Sequence, residues 1–266
     1  MSPSVPFAGP MPTLSRRQIL LASAASAASA ASAACSRSSP PPPGPSWPRT
    51  RTHAGIPFIE LFPHGADEAS PVVVAIHGRG DRPDRWVDTW SSFPAPARIA
   101  LPRAPTPLGD GFSWFEFRQG MTDEEFGAEV SRAEAALWAG IEALASAGQR
   151  LFVTGFSQGG ILSFALASRR ASRVVHAFPV AGSCPGPLLP EEGTGRAAPI
   201  SAFHGTDDDV LAIRWARDAV RAWNERGSRA ELKEYAGVRH AISPAMRADL
   251  WSGLVSALDR SPARDR

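Results

Sequence analysis

Leu151-Phe152-Val153-Thr154-Gly155-Phe156-Ser157-Gln158-Gly159-Gly160 is the stretch that decides the fold. A short apolar run of strand character enters a Gly-x-Ser-x-Gly turn, and residues 161–167 leave it with the composition of a buried helix. A serine in so tight a strand-to-helix turn needs small neighbours, because side chains two residues away on either side would collide with the strand and the helix. The same scheme recurs outward from this point. Pro71-Val72-Val73-Val74-Ala75-Ile76-His77 runs into Gly78-Arg79-Gly80-Asp81, residues 98–101 into Pro102, 174–180 into Ala181-Gly182, 200–203 into His204-Gly205, and 232–235 into Ala236-Gly237. Short, continuously apolar runs closed by Gly, Pro or polar residues are the pattern of strands buried on both faces of a parallel sheet.

Helical patterns lie between these runs. The clearest opens at the capping box Thr122-Asp123-Glu124-Glu125, places Phe126, Val130, Leu137, Ile141 and Leu144 on one face, and ends near Gly148. Residues 213–226 and 244–258 are two more. Strand-helix alternation from about residue 56 predicts a single three-layer α/β domain with a mostly parallel central sheet, its loops gathered at the strands' C-terminal ends, where such folds place their sites. Residues 182–198 form a short Pro/Gly-rich connection, so no large lid is expected.

Composition agrees with one such domain. The 266 residues are 43% hydrophobic, which supports a real core and excludes collagen-like, disordered and disulfide-scaffold classes. Basic and acidic residues number 28 and 26, and residues 35–266 carry 26 of each. Lys233 is the single lysine, a bias that reflects base composition rather than a charged partner. Without clustered positive charge, neither nucleic acid nor an anionic membrane surface is an expected partner.

The N-terminus reads as an address. Arg16-Arg17 precede Ile19-Leu20-Leu21 and a weakly apolar Ala/Ser run to Ala34, the layout of a twin-arginine export signal over residues 1–34. Residues 19–34 are too few and too rich in serine for a membrane span, which needs about 20 mainly apolar residues. Cys35, after small residues, is a candidate lipidation site, whereas cleavage at the Ala31-Ser32-Ala33 pattern would release a soluble protein. Residues 35–48 are a Pro-rich linker suited to an extended spacer, and 49–266 are the α/β domain. The expected location is the periplasm or cell envelope. Cys184 in a Gly/Pro loop implies no structural disulfide.

A serine hydroxyl becomes a nucleophile when a base takes its proton and a carboxylate orients that base. In a chain with this elbow they follow in the order serine, acid, histidine. Of the six histidines only His240 follows both Ser157 and the acidic cluster, in a loop after the last strand pattern and just before a helix. The acid is one of Asp207, Asp208 and Asp209.

Taken together, His77-Gly78-Arg79-Gly80-Asp81, Pro102-Arg103-Ala104-Pro105 with Trp114-Phe115 downstream, Gly155-Phe156-Ser157-Gln158-Gly159-Gly160, His204-Gly205-Thr206-Asp207-Asp208-Asp209 and His240 resemble the phospholipase/carboxylesterase family of serine hydrolases, to which acyl-protein thioesterases belong. The resemblance implies the α/β-hydrolase fold. Its H-G-x-x-D spacing implies Asp208 as the acid, and its oxyanion hole implies the backbone N–H groups of Arg79 and Gln158. Trp114 and Phe115 are the implied acyl-pocket residues. His77 is expected to fix its loop by hydrogen bonds. The implied activity is hydrolysis of small or medium carboxylic esters through an acyl-enzyme, without metal or cofactor. Thioester or lysophospholipid hydrolysis uses the same residues, whereas a non-catalytic envelope-binding protein on this fold would typically lack one of the three.

Overall fold

The computed structural model describes residues 46–118 and 120–260. The leader over residues 1–34, Cys35 and most of the Pro-rich linker lie outside them. In chain order the elements are β1 (Arg49–His53), β2 (Ile56–Leu61), β3 (Val72–Ile76), α1 (Val87–Ser91), β4 (Arg98–Pro102), β5 (Thr106–Leu108), β6 (Gly111–Ser113), α2 (Asp123–Leu144), β7 (Leu151–Phe156), α3 (Gln158–Arg169), β8 (Val174–Val180), β9 (Ile200–Gly205), α4 (Ile213–Glu225), β10 (Ala230–Tyr235) and α5 (Pro244–Asp259). Eight strands form one sheet in the order β1-β2-β4-β3-β7-β8-β9-β10. The six from β4 to β10 run parallel, and the β1-β2 hairpin closes one edge antiparallel.

Strand β3 explains the layering. Its five residues are all buried. Val72, Val74 and Ile76 belong to the core shared with α2, α3 and α4, whereas Val73 and Ala75 belong to the core shared with α1 and α5. Period-two side chains with both faces apolar therefore seat helices on each side of the sheet, which is the three-layer α/β architecture. The capping box of α2 forms as its sequence predicts: Thr122 Oγ1 accepts from Glu125 N–H, and the Glu125 carboxylate accepts from Thr122 N–H.

Strand order positions the site. From β3 the chain steps outward to β4, then returns past β3 to lay down β7 on the other side. Loops leaving β3 and β7 consequently diverge at their carboxyl ends and open a crevice, the place where open α/β sheets bind ligands. Those loops begin with Gly78-Arg79 and with Ser157. The connection from β8 to β9 holds one short 3-10 turn, Gly186–Leu188, and no lid. Among the described residues no helix is long and apolar enough to cross a membrane.

Candidate active site

Ser157 sits at φ 57°, ψ −114°, a backbone conformation rare for a side-chain-bearing residue and a local store of strain. Its surroundings over-determine that conformation. Its N–H donates to Val180 O at 3.0 Å, and its carbonyl accepts from Ile161 N–H at 3.0 Å. Glycines are required beside it by close approach: a Cβ on Gly155 would lie 2.4 Å from Gly159 O, and one on Gly159 would lie 2.0 Å from Ile76 O. The turn thus packs directly against β3, with Ser157 immediately before α3.

His240 reaches Ser157 from the loop after β10. His240 Nε2 lies 3.0 Å from Ser157 Oγ, and His240 Nδ1 lies 2.8 Å from Asp208 Oδ2. The loop can come this close because β9 ends in Gly205, where a Cβ would lie 2.1 Å from Val238 O. Of the three aspartates, Asp208 alone faces the histidine, and its carboxylate is buried. Its other oxygen, Oδ1, accepts from Val210 N–H at 2.9 Å and Leu211 N–H at 2.8 Å. Asp207 is exposed and accepts from Thr206 Oγ1. Asp209 pairs with Arg239, whose guanidinium holds that carboxyl below the usual aspartate range.

Two further side chains support this line, those of His204 and Gln158. His204 Nε2 donates to Leu211 O at 2.7 Å and lies 3.3 Å from Asp208 Oδ2. Burial lowers the His204 pKa, so it stays neutral with its one N–H turned toward the acid's loop. The Gln158 side chain, buried at the start of α3, accepts from Trp114 N–H at 2.9 Å and Ser113 Oγ at 3.2 Å and donates to Phe115 O at 2.8 Å. It ties residues 113–115 to the elbow. The H-G spacing marks His204, but nothing in the sequence marks the Gln158 side chain as more than a neighbour of the serine.

The N–H groups implied for an oxyanion hole are free to act. Gln158 is the first residue of α3, where N–H groups have no intrahelical acceptor. Arg79 N–H donates to no described residue. A Cβ on Gly78 would lie 3.3 Å from Ser157 Cβ, so the Arg79 loop lies against the serine. The Arg79 side chain is exposed. The β5-β6 hairpin holds the loop: Gly80 N–H donates to Phe112 O at 2.8 Å and Phe112 N–H to Asp81 O at 3.0 Å. His77 holds it from below, accepting from Ala104 N–H at Nε2 and donating from Nδ1 to Gly78 O at 2.7 Å. Burial lowers its pKa and keeps it in that neutral tautomer.

A cavity of about 770 Å³ opens beside Ser157 and Gln158. Phe115, Phe126, Ile161, Leu189 and Leu211 form apolar walls, and Phe117, Val210 and Trp215 stand exposed at its rim. Phe115 lines this cavity and Trp114 does not, which corrects the expectation for Trp114. Its indole N–H needs an acceptor when buried and donates to His77 O at 3.0 Å, so the ring turns under the loop and away from the cavity. Cys184 also lines the cavity, but burial pushes its thiol pKa far up. Among the described residues no cluster of His, Cys, Asp or Glu is placed to hold a metal ion.

A strained serine elbow at the switch point of a mostly parallel sheet, with a histidine and a buried aspartate in line behind it, defines an α/β-hydrolase. The chain belongs to the phospholipase/carboxylesterase family, whose model matches residues 59–254. Solved structures share the fold. The esterase PE8 is 20% identical with TM-score 0.63, covering 74% of this chain and 97% of that one. Acyl-protein thioesterase 2 of Zea mays is 20% identical with TM-score 0.59, covering 76% and 98%. A phospholipase/carboxylesterase from Dyadobacter fermentans is 19% identical with TM-score 0.58, covering 77% and 97%.

Proposed function

We propose that this chain is a serine carboxylic-ester hydrolase working through an acyl-enzyme. The observation that carries the reading is the unbroken line Asp208–His240–Ser157, with contacts of 2.8 and 3.0 Å, ending beside an apolar cavity. Asp208 accepts from His240 Nδ1–H and so leaves the Nε2 lone pair facing Ser157 Oγ. His240 takes the serine proton as Oγ attacks the acyl carbon. The N–H groups of Arg79 and Gln158 stabilise the resulting oxyanion, each contributing about 3 kcal/mol to lowering the barrier. His240 then gives its proton to the leaving alcohol, and water, activated by the same base, frees Ser157.

The cavity beside Ser157 takes the acyl group, and the short connection from β8 to β9, which carries no lid, favours small or medium chains. A thioester offers the same acyl carbon to the same groups, so an oxygen/sulfur ester pair with one acyl group belongs in any substrate panel. The Arg16-Arg17 leader supports export to the periplasm or cell envelope, with Cys35 as a site of lipid attachment.

The test is covalent labelling by a fluorophosphonate. Intact-protein mass spectrometry should show one adduct, absent from Ser157→Ala, with ester hydrolysis lost in parallel. Folded protein that takes no label, or labelling that persists in Ser157→Ala, overturns the reading.

A further inference from the structure

A second cavity, of about 420 Å³, lies against the opposite partner of the catalytic hydrogen bond. It shares no lining residue with the first: Ser157 and Gln158 line one, His240 and Phe156 line the other. The two cavities also lie on different faces of the sheet. The first is built on α2, α3 and α4, the second on α1, α5 and the turn of Pro83–Trp86 that precedes α1. The 3.0 Å contact between Ser157 Oγ and His240 Nε2 is therefore the bridge between them.

Chemistry divides an ester across that bridge. The acyl carbon bonds to Ser157 Oγ, and the departing oxygen must receive its proton from His240 Nε2. We infer that the cavity beside His240 is a subsite for the leaving group, and that it selects an aromatic alcohol of one or two rings. This inference rests on the hydrolase reading above and extends it to the substrate's other half.

The lining points to a ring. Trp86, Trp90, Trp251 and Phe156 supply aromatic surface, and Ile242 and Leu250 add aliphatic surface. Several of these walls are fixed. Trp86 Nε1–H donates to Asp81 Oδ2 at 2.8 Å, Trp90 and Trp251 pack with ring centroids 6.3 Å apart, and Phe156 lies 4.8 Å from the His240 ring. Held aromatic faces bind another ring edge-on or offset, at little cost in ordering. The charged lining groups already have partners. Asp81 also faces Arg85 and accepts from Arg82 N–H, and the Arg247 guanidinium lies over Trp251. Volume agrees too, since small-molecule sites run from about 300 to 1,000 Å³.

Three acetates test the inference: ethyl, cyclohexylmethyl and benzyl. All give the same acetyl-enzyme, so deacylation is common to them, and differences in kcat/KM report the leaving group alone. Benzyl acetate should exceed ethyl acetate roughly 10- to 100-fold and should also exceed cyclohexylmethyl acetate. Ile242→Trp, at an exposed lining position, and Thr89→Trp, on α1, each fill the cavity and should bring the benzyl/ethyl ratio toward one. Val210→Trp, at the rim of the other cavity, should alter acyl-length preference and leave that ratio in place. A wild-type ratio near one in protein that labels at Ser157 and hydrolyses ethyl acetate overturns the inference while the hydrolase reading stands. A benzyl preference that survives both filling variants also overturns it, because the ring then binds elsewhere. Absence of both labelling and hydrolysis overturns the two together.

Discussion

Replacing Asp208 with asparagine isolates one function of the site, because the change is nearly isosteric and each contact of the carboxylate has a different consequence. Oδ1 accepts from Val210 and Leu211 N–H at 2.9 and 2.8 Å, and Oδ2 accepts from His240 Nδ1 at 2.8 Å with His204 Nε2 at 3.3 Å. An asparagine has one acceptor oxygen. The two backbone donors hold that oxygen, which turns the amide NH2 toward His240 and makes Nδ1 the acceptor. The histidine proton then moves to Nε2, the nitrogen that must receive the Ser157 proton. The wrong tautomer should lower kcat by about 10⁴-fold, which is about 5.5 kcal/mol of barrier at 1.36 kcal/mol per tenfold. Steady-state hydrolysis of a short acyl ester measures it, with fluorophosphonate labelling slowed in parallel. Near-native circular dichroism should accompany the loss, because the backbone hydrogen bonds survive. Activity within tenfold of wild type, or a comparable loss in Asp207→Asn or Asp209→Asn, would refute the assignment of the acid.

The other predictions concern folding and location. Burial lowers the His176 pKa to about 4, with His77 and His204 lowered in the same direction. The unfolded chain binds protons on these rings from about pH 6.5 downward and the folded chain does not, so stability is full above that pH and lost as pH falls toward 4. His176 alone accounts for about 3 kcal/mol of that loss by pH 4 and about 2 kcal/mol of it at pH 5; urea midpoints at pH 7.5 and 5 should show the latter, and a flatter profile in His176→Gln assigns its share. Gly205→Ala puts a Cβ 2.1 Å from Val238 O, which must displace the His240 loop; activity should fall at least about 100-fold with a stability loss of about 1–3 kcal/mol, and unchanged kcat would show that the loop is not held by this approach. Changing Arg16-Arg17 to Lys-Lys should trap folded, active enzyme in the cytoplasm, and a lipid on Cys35 should hold wild type in membrane pellets that yield to detergent but not to salt, a pattern that Cys35→Ala removes.

How far the sequence can be read depends on whether a residue's requirement is local. The parallel strands and the elbow could be read because each needs a short pattern: β3 must be apolar on both faces, and Ser157 must be flanked by residues without side chains. His240 could be found by order along the chain, since no other histidine follows the acid. The edge hairpin of β1 and β2 was less visible, because Arg49–His53 is polar and exposed and owes its strand to pairing with Ile56–Leu61. The β5-β6 hairpin leaves only a Gly109-Asp110-Gly111 turn as its trace. Trp114 shows the limit at the site itself. In a loop no periodicity says which way a ring points, and Trp114 and Phe115 are equivalent by composition. What separates them is one N–H: the indole must find an acceptor when buried and finds His77 O beneath the Arg79 loop, whereas Phe115 carries no such obligation and faces the cavity. The same rule explains why the Gln158 side chain, unlike its backbone N–H, carries no signal in the sequence. Its amide is satisfied by residues 113–115, about 44 positions earlier in the chain, so its value as a strut exists only once β7 and the β5-β6 hairpin have met. Side chains whose partners are distant in sequence carry the shape of this site, and that shape, more than the serine, histidine and aspartate, sets which ester fits.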